Sequence, residues 1–111
     1  MGYDTATKTD AESVVPEEWG GMWFLKDHLD TEHLGFTVLE LEAGGKGKEH
    51  DHDGGQEEVY YVVEGTVEID LGDETVSLGP EEAIRLDPDQ TRQINNRGDV
   101  RATLVLAGAP L

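Results

Sequence analysis

The feature that most limits what this chain can fold into is a two-residue alternation of apolar and polar side chains, confined to short runs cut off by Gly, Pro, Asp or Asn. In FTVLELE, residues 36–42, Leu39 and Leu41 fall on one side and Glu40 and Glu42 on the other. In TVEIDL, residues 66–71, Val67, Ile69 and Leu71 alternate with Thr66, Glu68 and Asp70. Successive side chains of a strand point to opposite faces, so this period marks half-buried strands. Further runs at 74–78, 83–86, 92–96 and 100–107 are separated by Leu71-Gly72-Asp73, Gly79-Pro80 and Asn96-Arg97-Gly98-Asp99. Many short strands with turns between them and no convincing helix predict an all-β sandwich or barrel. The Arg97-Gly98-Asp99 tripeptide reads as a tight turn between two such strands.

With 111 residues the chain supports one domain and one hydrophobic core. Residues 1–16 are polar and acidic and end at Pro16, so they are expected to form a partly flexible N-terminal arm or an edge strand on a neighbouring subunit, with residues 17–111 as the single domain. The WGGMWFLK segment that follows reads as a strand, because Gly20 and Gly21 break any helical start. High charge and low hydropathy also characterise disordered chains, but the alternating runs between Phe36 and Leu106 are worth burying.

A net charge of -17, from 25 acidic residues spread along the whole chain, repels phosphate backbones and anionic headgroups. Nucleic acid and membrane partners are therefore not expected. The dispersed acidity with few lysines resembles proteins of salt-loving microbes. No cysteine is present, so disulfides, thiolate metal sites and cysteine nucleophiles are excluded, and any metal must be held by nitrogen and oxygen. No apolar run approaches the roughly 18 residues that span a bilayer, and MGYDTATKTD has no apolar segment of a secretory signal, so a cytoplasmic location is expected.

Chemistry concentrates in KEHDHDGGQEEVYYVVEG, residues 48–65. His50 and His52 stand two apart and project from one face of an extended segment, which lets two imidazoles reach one ion. Asp53-Gly54-Gly55 allows the chain to reverse, and only one of Glu57 and Glu58 can then face the same interior as the histidines. Glu58, Tyr60 and Val62 form one face of the returning strand and Val59, Tyr61 and Val63 the other; both are largely apolar, which predicts burial on both sides.

Gly44, five residues, His50-x-His52, a glutamate, six residues and Gly65 resemble the first motif of the cupins, small double-stranded β-helix barrels of jelly-roll type. The resemblance runs over about residues 35–109, and counting back from Gly65 selects Glu58 as the motif's carboxylate. It implies a cupin barrel with His50, His52 and Glu58 as ligands of one divalent metal, iron, manganese, nickel or zinc. The second cupin motif aligns with LGPEEAIRLDPDQTRQINNRGD and departs from it. Asn96 is retained, while Glu81 and Asp89 stand where Gly is usual, Asp87 where Pro is, and Arg92 where the last ligand histidine belongs. A guanidinium has no lone pair to give, so the usual four ligands are reduced to three. Two histidines and a carboxylate on one side of an ion still form the facial triad of non-haem iron enzymes.

Arg92 has two opposite consequences: it pairs with Glu58 and replaces the metal, or it sits beside a bound metal and anchors the carboxylate or phosphate of an anionic substrate. Gln90 and Gln93 are polar candidates near the pocket mouth, and a one-residue slip would turn Gln93 inward in place of Arg92. Tyr60 faces the interior as a packed core residue or a hydrogen-bond donor to a ligand. His28 and His33 read as solvated loop residues, and Asp51, Asp53 and Gly54 are only faintly similar to a calcium loop. Two functions stay open: a metal-dependent cupin acting on a small anionic molecule, or a metal-free, non-catalytic barrel that binds a small ligand or serves as a regulatory dimer. A homodimer is expected from the apolar Val59, Tyr61 and Val63 face.

Overall fold

The computed structural model describes residues 2–52 and 54–111. Asp53 lies outside the described residues, and with it part of the 53–55 turn and of the calcium-loop reading. The alternating runs become strands: β1 (Gly20–Phe24), β2 (Gly35–Leu41), β3 (Glu57–Glu64), β4 (Val67–Asp70), β5 (Thr75–Leu78), β6 (Ala83–Leu86), β7 (Gln93–Asn95) and β8 (Ala102–Ala109). They pair antiparallel in two sheets, one in the order β1-β2-β8-β3-β6 and one in the order β5-β4-β7. This is a small jelly-roll barrel of the double-stranded β-helix type. The expectation of no helix needs a small correction: 3-10 turns form at Lys8–Asp10 and Glu17–Trp19, and one α-helical turn, α1 (Lys26–Leu29), follows β1, with Asp30 ending it in the left-handed conformation.

Parity decides the core. Leu39 and Leu41 from β2, Val62 from β3, Val67 and Ile69 from β4, and Leu104 from β8 all turn inward with at most 5% of their surface exposed. Burial of each such side chain contributes about 1.5–3 kcal/mol. Glu57 and Glu58 divide as strand parity requires: Glu58 faces inward, and Glu57 meets Arg85 of β6 on the surface at 3.1 Å. The other face of β3 corrects the sequence reading. Val59, Tyr61 and Val63 are 39, 40 and 47% exposed, so within one chain β3 is buried on one side only.

The acidic N-terminal segment lies against this chain's own β1 and β2. Val14 N–H donates to the Met22 carbonyl at 2.9 Å, and Lys8 stands 4.3 Å from the Trp23 ring and 2.8 Å from a Glu40 oxygen. Buried Asn96 ties β7 to neighbouring segments, donating to the carbonyls of Leu41 at 3.0 Å and Val100 at 2.8 Å. Its side-chain oxygen accepts the Gly98 N–H, which makes the Arg97-Gly98-Asp99 stretch a bend tied to the core. At Gly65, after β3, φ is +85° and an added Cβ would lie 2.7 Å from the Ala102 Cα, so only glycine fits there.

Gly79-Pro80-Glu81-Glu82 forms a turn closed by the Glu82 N–H donating to the Gly79 carbonyl at 3.2 Å. With Pro second and a positive φ of 68° third, it has the pattern of a type II turn, whose third position favours glycine. Glu81 therefore occupies a left-handed position at a cost of about 1 kcal/mol. Glu81→Gly is expected to raise stability by a few tenths to about 1 kcal/mol, the relief of strain being partly offset by the entropy of the unfolded chain. Equilibrium denaturation checks this; a lower unfolding midpoint for the variant would contradict it.

Candidate metal centre

The segment carrying the histidines is extended and tied to the segment carrying Arg92. His50 N–H donates to the Arg92 carbonyl and Arg92 N–H to the His50 carbonyl, both at 2.9 Å, while His52 N–H donates to the Pro88 carbonyl at 2.7 Å. Residues exchanging both backbone hydrogen bonds lie opposite each other with side chains on one face, so His50 brings Arg92 inward with it. Ile94 and Asn96 share that parity and are buried. The one-residue slip that would turn Gln93 inward therefore does not occur: Gln93 faces away and donates to the Gly47 carbonyl at 2.9 Å. Gln90 is likewise not at the site, its amide being used on the carbonyls of Leu71 and Thr91.

One oxygen of Glu58 is the meeting point. His52 Nε2 lies 3.1 Å from Oε1, Tyr60 Oη 3.2 Å, Arg92 Nη2 3.4 Å and His50 Nε2 3.7 Å. His50, His52 and Glu58 each offer a ligand atom within 4.8 Å of the others. An ion about 2.1 Å from three facial ligands separates them by about 3 Å, so this cluster is close to the required spacing. Protonation fits as well. His50 Nδ1 is 2.9 Å from the Lys48 carbonyl, which can only accept, so Nδ1 carries the proton and in the neutral ring Nε2 presents a lone pair to the cluster. Nε2 of His52 is buried and has no hydrogen-bond partner among the described residues. An orphaned imidazole nitrogen beside a carboxylate oxygen is what a cation would satisfy.

Arg92 is fully buried. Its Nη1 donates to the Gln90 carbonyl at 2.7 Å, and Nε and Nη2 have no hydrogen-bond partner among the described residues. Tyr60 keeps its proton: burial first, then the negative charge of Glu58, pushes the phenol well above its ordinary value, and it donates to Glu58. The cluster borders a cavity of about 510 Å³ whose walls are mainly apolar, Met22, Leu39, Leu41, Ile94 and Leu106 among them. Glu58, Tyr60, His50 and His52 line it; Arg92 is not among the described lining residues. The guanidinium instead meets Glu58 and the Gln90 carbonyl. His28 and His33 are exposed and far from this chemistry, as expected.

The fold and the inward His-His-Glu set define a class of barrel, and sequence comparison agrees with it. The Cupin domain family matches residues 37–108, and the chain belongs to that family. It is similar to a polyketide synthase, CurC, of Streptomyces cyaneus, with 35% identity over 78 residues, 70% of this chain and 49% of the relative; the chain thus spans about half of that protein's length. Among solved structures it resembles a cupin protein from Bacteroides fragilis, with a TM-score of 0.81 at 22% identity over 99% of this chain and 86% of that one. It also resembles a sugar phosphate isomerase of the cupin superfamily from Silicibacter pomeroyi, with a TM-score of 0.78 at 21% identity over 96% of this chain and 76% of that one. At these identities the structural likeness speaks for the fold alone.

Removing the Glu58 charge leaves the Arg92 guanidinium buried without a counter-charge. Glu58→Gln is expected to destabilise the metal-free protein by about 3 kcal/mol, whereas Glu57→Gln, at the neighbouring exposed position, changes stability by less than about 0.5 kcal/mol. Guanidinium denaturation of both variants reads the difference directly, and equal effects would refute the inward assignment of Glu58.

Proposed function

We propose that His50, His52 and Glu58 hold one divalent metal ion, iron, manganese, nickel or zinc, and that the protein uses it on a small organic molecule seated in the barrel. The observation that carries this reading is the His50 Nδ1 contact with the Lys48 carbonyl, which in the neutral ring turns the Nε2 lone pair toward the Glu58 carboxylate. Two electron-rich atoms facing each other are unfavourable unless a cation joins them. When bound there, the metal supplies Lewis-acid polarisation or, if it is iron or manganese, redox chemistry. The protein's own residues orient and enclose. Tyr60 donates a hydrogen bond to Glu58 and holds that carboxylate in place; Arg92 offsets the carboxylate's charge, so Glu58 repels a negatively charged ligand less than a free carboxylate would. Apolar walls exclude water and accept a carbon skeleton. Similarity to a polyketide synthase supports a polyketide-like ligand, a carbon skeleton bearing several oxygens.

A second reading has its own observation. Arg92 already offsets the charge of Glu58 at 3.4 Å, so a metal-free, non-catalytic barrel that binds a ligand or serves as a regulatory dimer is electrostatically complete at that carboxylate. Elemental analysis separates the two. Under the metal reading, protein purified at high salt carries close to one equivalent of a single transition metal, and His50→Ala loses it. Arg92→His restores the fourth ligand, a third imidazole, and is expected to tighten binding about tenfold or more. Substoichiometric metal in the natural sequence, indistinguishable from His50→Ala, would favour the metal-free barrel.

The exposed apolar face of β3 supports pairing with a second copy. Val59, Tyr61 and Val63 lie on the outside of the five-stranded sheet, where Tyr61 is opposite Val105 of β8. Tyr61→Glu is expected to shift a dimer to a monomer in light scattering while leaving the metal content unchanged; a natural-sequence monomer at micromolar concentration would end this part of the proposal. Among the described residues no helix is long and apolar enough to cross a membrane.

A further inference from the structure

The chain has 25 acidic residues and only four lysines, and three of those lysines, Lys26, Lys46 and Lys48, line the cavity. The fourth, Lys8, is engaged by Glu40 and Trp23. Among the described residues the one acid that lines the cavity is Glu58, and Arg92 faces it. The balance of charge that holds over the protein as a whole is thus inverted at this cavity.

The inversion has a local cause in KGKEHDH, residues 46–52. Lys46, Lys48, His50 and His52 share one parity and all four line the cavity, while Glu49 and Asp51 are exposed and do not. Pairing with β7 fixes the run in place: Lys46 bridges to Asn95, and Gly47 N–H donates to the Ile94 carbonyl at 2.9 Å. Gly47 packs so close that an added Cβ would lie 2.8 Å from the Ile94 side chain. Lys46 and Lys48 are also the two cationic side chains with no acidic partner among the described residues; the other six each have one. In so acidic a chain, two uncompensated ammonium groups beside an apolar cavity are available to a ligand.

We infer that the cavity takes an amphipathic organic anion, whose apolar body packs against the barrel wall and whose oxyanion, a carboxylate or phosphate, is held along the Lys46 and Lys48 rail. Low-dielectric walls concentrate the lysine field, and the acidic exterior repels an anion elsewhere, so this rim is also where such a ligand is drawn in. The inference rests on the reading of the barrel as a ligand site, but not on the metal.

Two fluorescent probes with the same aromatic body test it: anilinonaphthalene sulfonate, which carries an anion, and phenylnaphthylamine, which does not. Titrations at one fixed salt concentration use chelator-treated protein and protein loaded with manganese. The expected result is tighter binding of the sulfonate, by at least about fivefold, and a loss of about tenfold in Lys48→Glu with the neutral probe unchanged within about twofold. Arg85→Glu makes the same change in net charge at an exposed position outside the cavity and is expected to leave both affinities alone. Equal binding of the two probes, binding of neither, or equal weakening by Lys48→Glu and Arg85→Glu would overturn the inference. Failure in both preparations while metal binds through His50 removes the lysine rail and keeps the metal reading. The expected pattern in both, with no His50-dependent metal, does the reverse.

Discussion

The contact between the Glu58 carboxylate and the Arg92 guanidinium sets the terms for the rest of this barrel. A cation taken wholly out of water needs a counter-charge, and Glu58, at 3.4 Å, is the acid that faces it. That demand aligns β3, because Glu58 must point inward and Glu57 outward. It equally constrains the histidine segment, since the paired backbones of His50 and Arg92 put both side chains on one face. The same carboxylate then has two jobs of different kind: it neutralises a buried arginine, and it completes the donor set of two imidazoles.

Around this polar cluster the barrel is mostly hydrocarbon. Inward side chains from both sheets leave a cavity of about 510 Å³ instead of filling the space, and a few polar groups, His50, His52, Glu58 and Tyr60 among them, line it. Convergent polar groups in an apolar cavity orient a ligand strongly, because each hydrogen bond or ion pair there competes with little water. The distribution of charge adds direction. Acids cover the outside and lysines line the cavity, while the buried cation Arg92 is offset by Glu58, so the attraction for an anion comes from the lysines.

Departures from the cupin pattern have separate physical meanings. Asn96 is kept because its amide satisfies three backbone groups at once, two as donor and one as acceptor. Glu81 replaces a glycine in a turn that still demands a positive φ, so the fold tolerates strain there without changing its course. Arg92 alters the site itself. It removes a ligand of the cupin pattern and brings a positive charge close to the remaining donors, which in the proposed metal site would weaken the hold on an ion and raise its preference for an anionic companion.

Much of the architecture was legible in the sequence. Strand periodicity is a local property, and residues such as Leu39, Leu41, Val67 and Ile69 carry their burial in their spacing. The same parity joined His50 to His52 and separated Glu58 from Glu57. Other features depend on which segments meet. That Val59, Tyr61 and Val63 remain uncovered follows from the N-terminal arm lying on β1 and β2, at the other side of the sheet. That Gln90 donates to Leu71, Gln93 to Gly47, and that Arg92 meets Glu58, follows from contacts between segments separated in sequence. The lysines were visible in the KGKEHDH alternation, but a lysine on strand parity is ordinary until the tertiary structure puts a cavity beneath it. The chain's own spacing determined strands, faces and the candidate ligands; long-range pairing decided what each face meets, because no local pattern specifies the partner across a barrel.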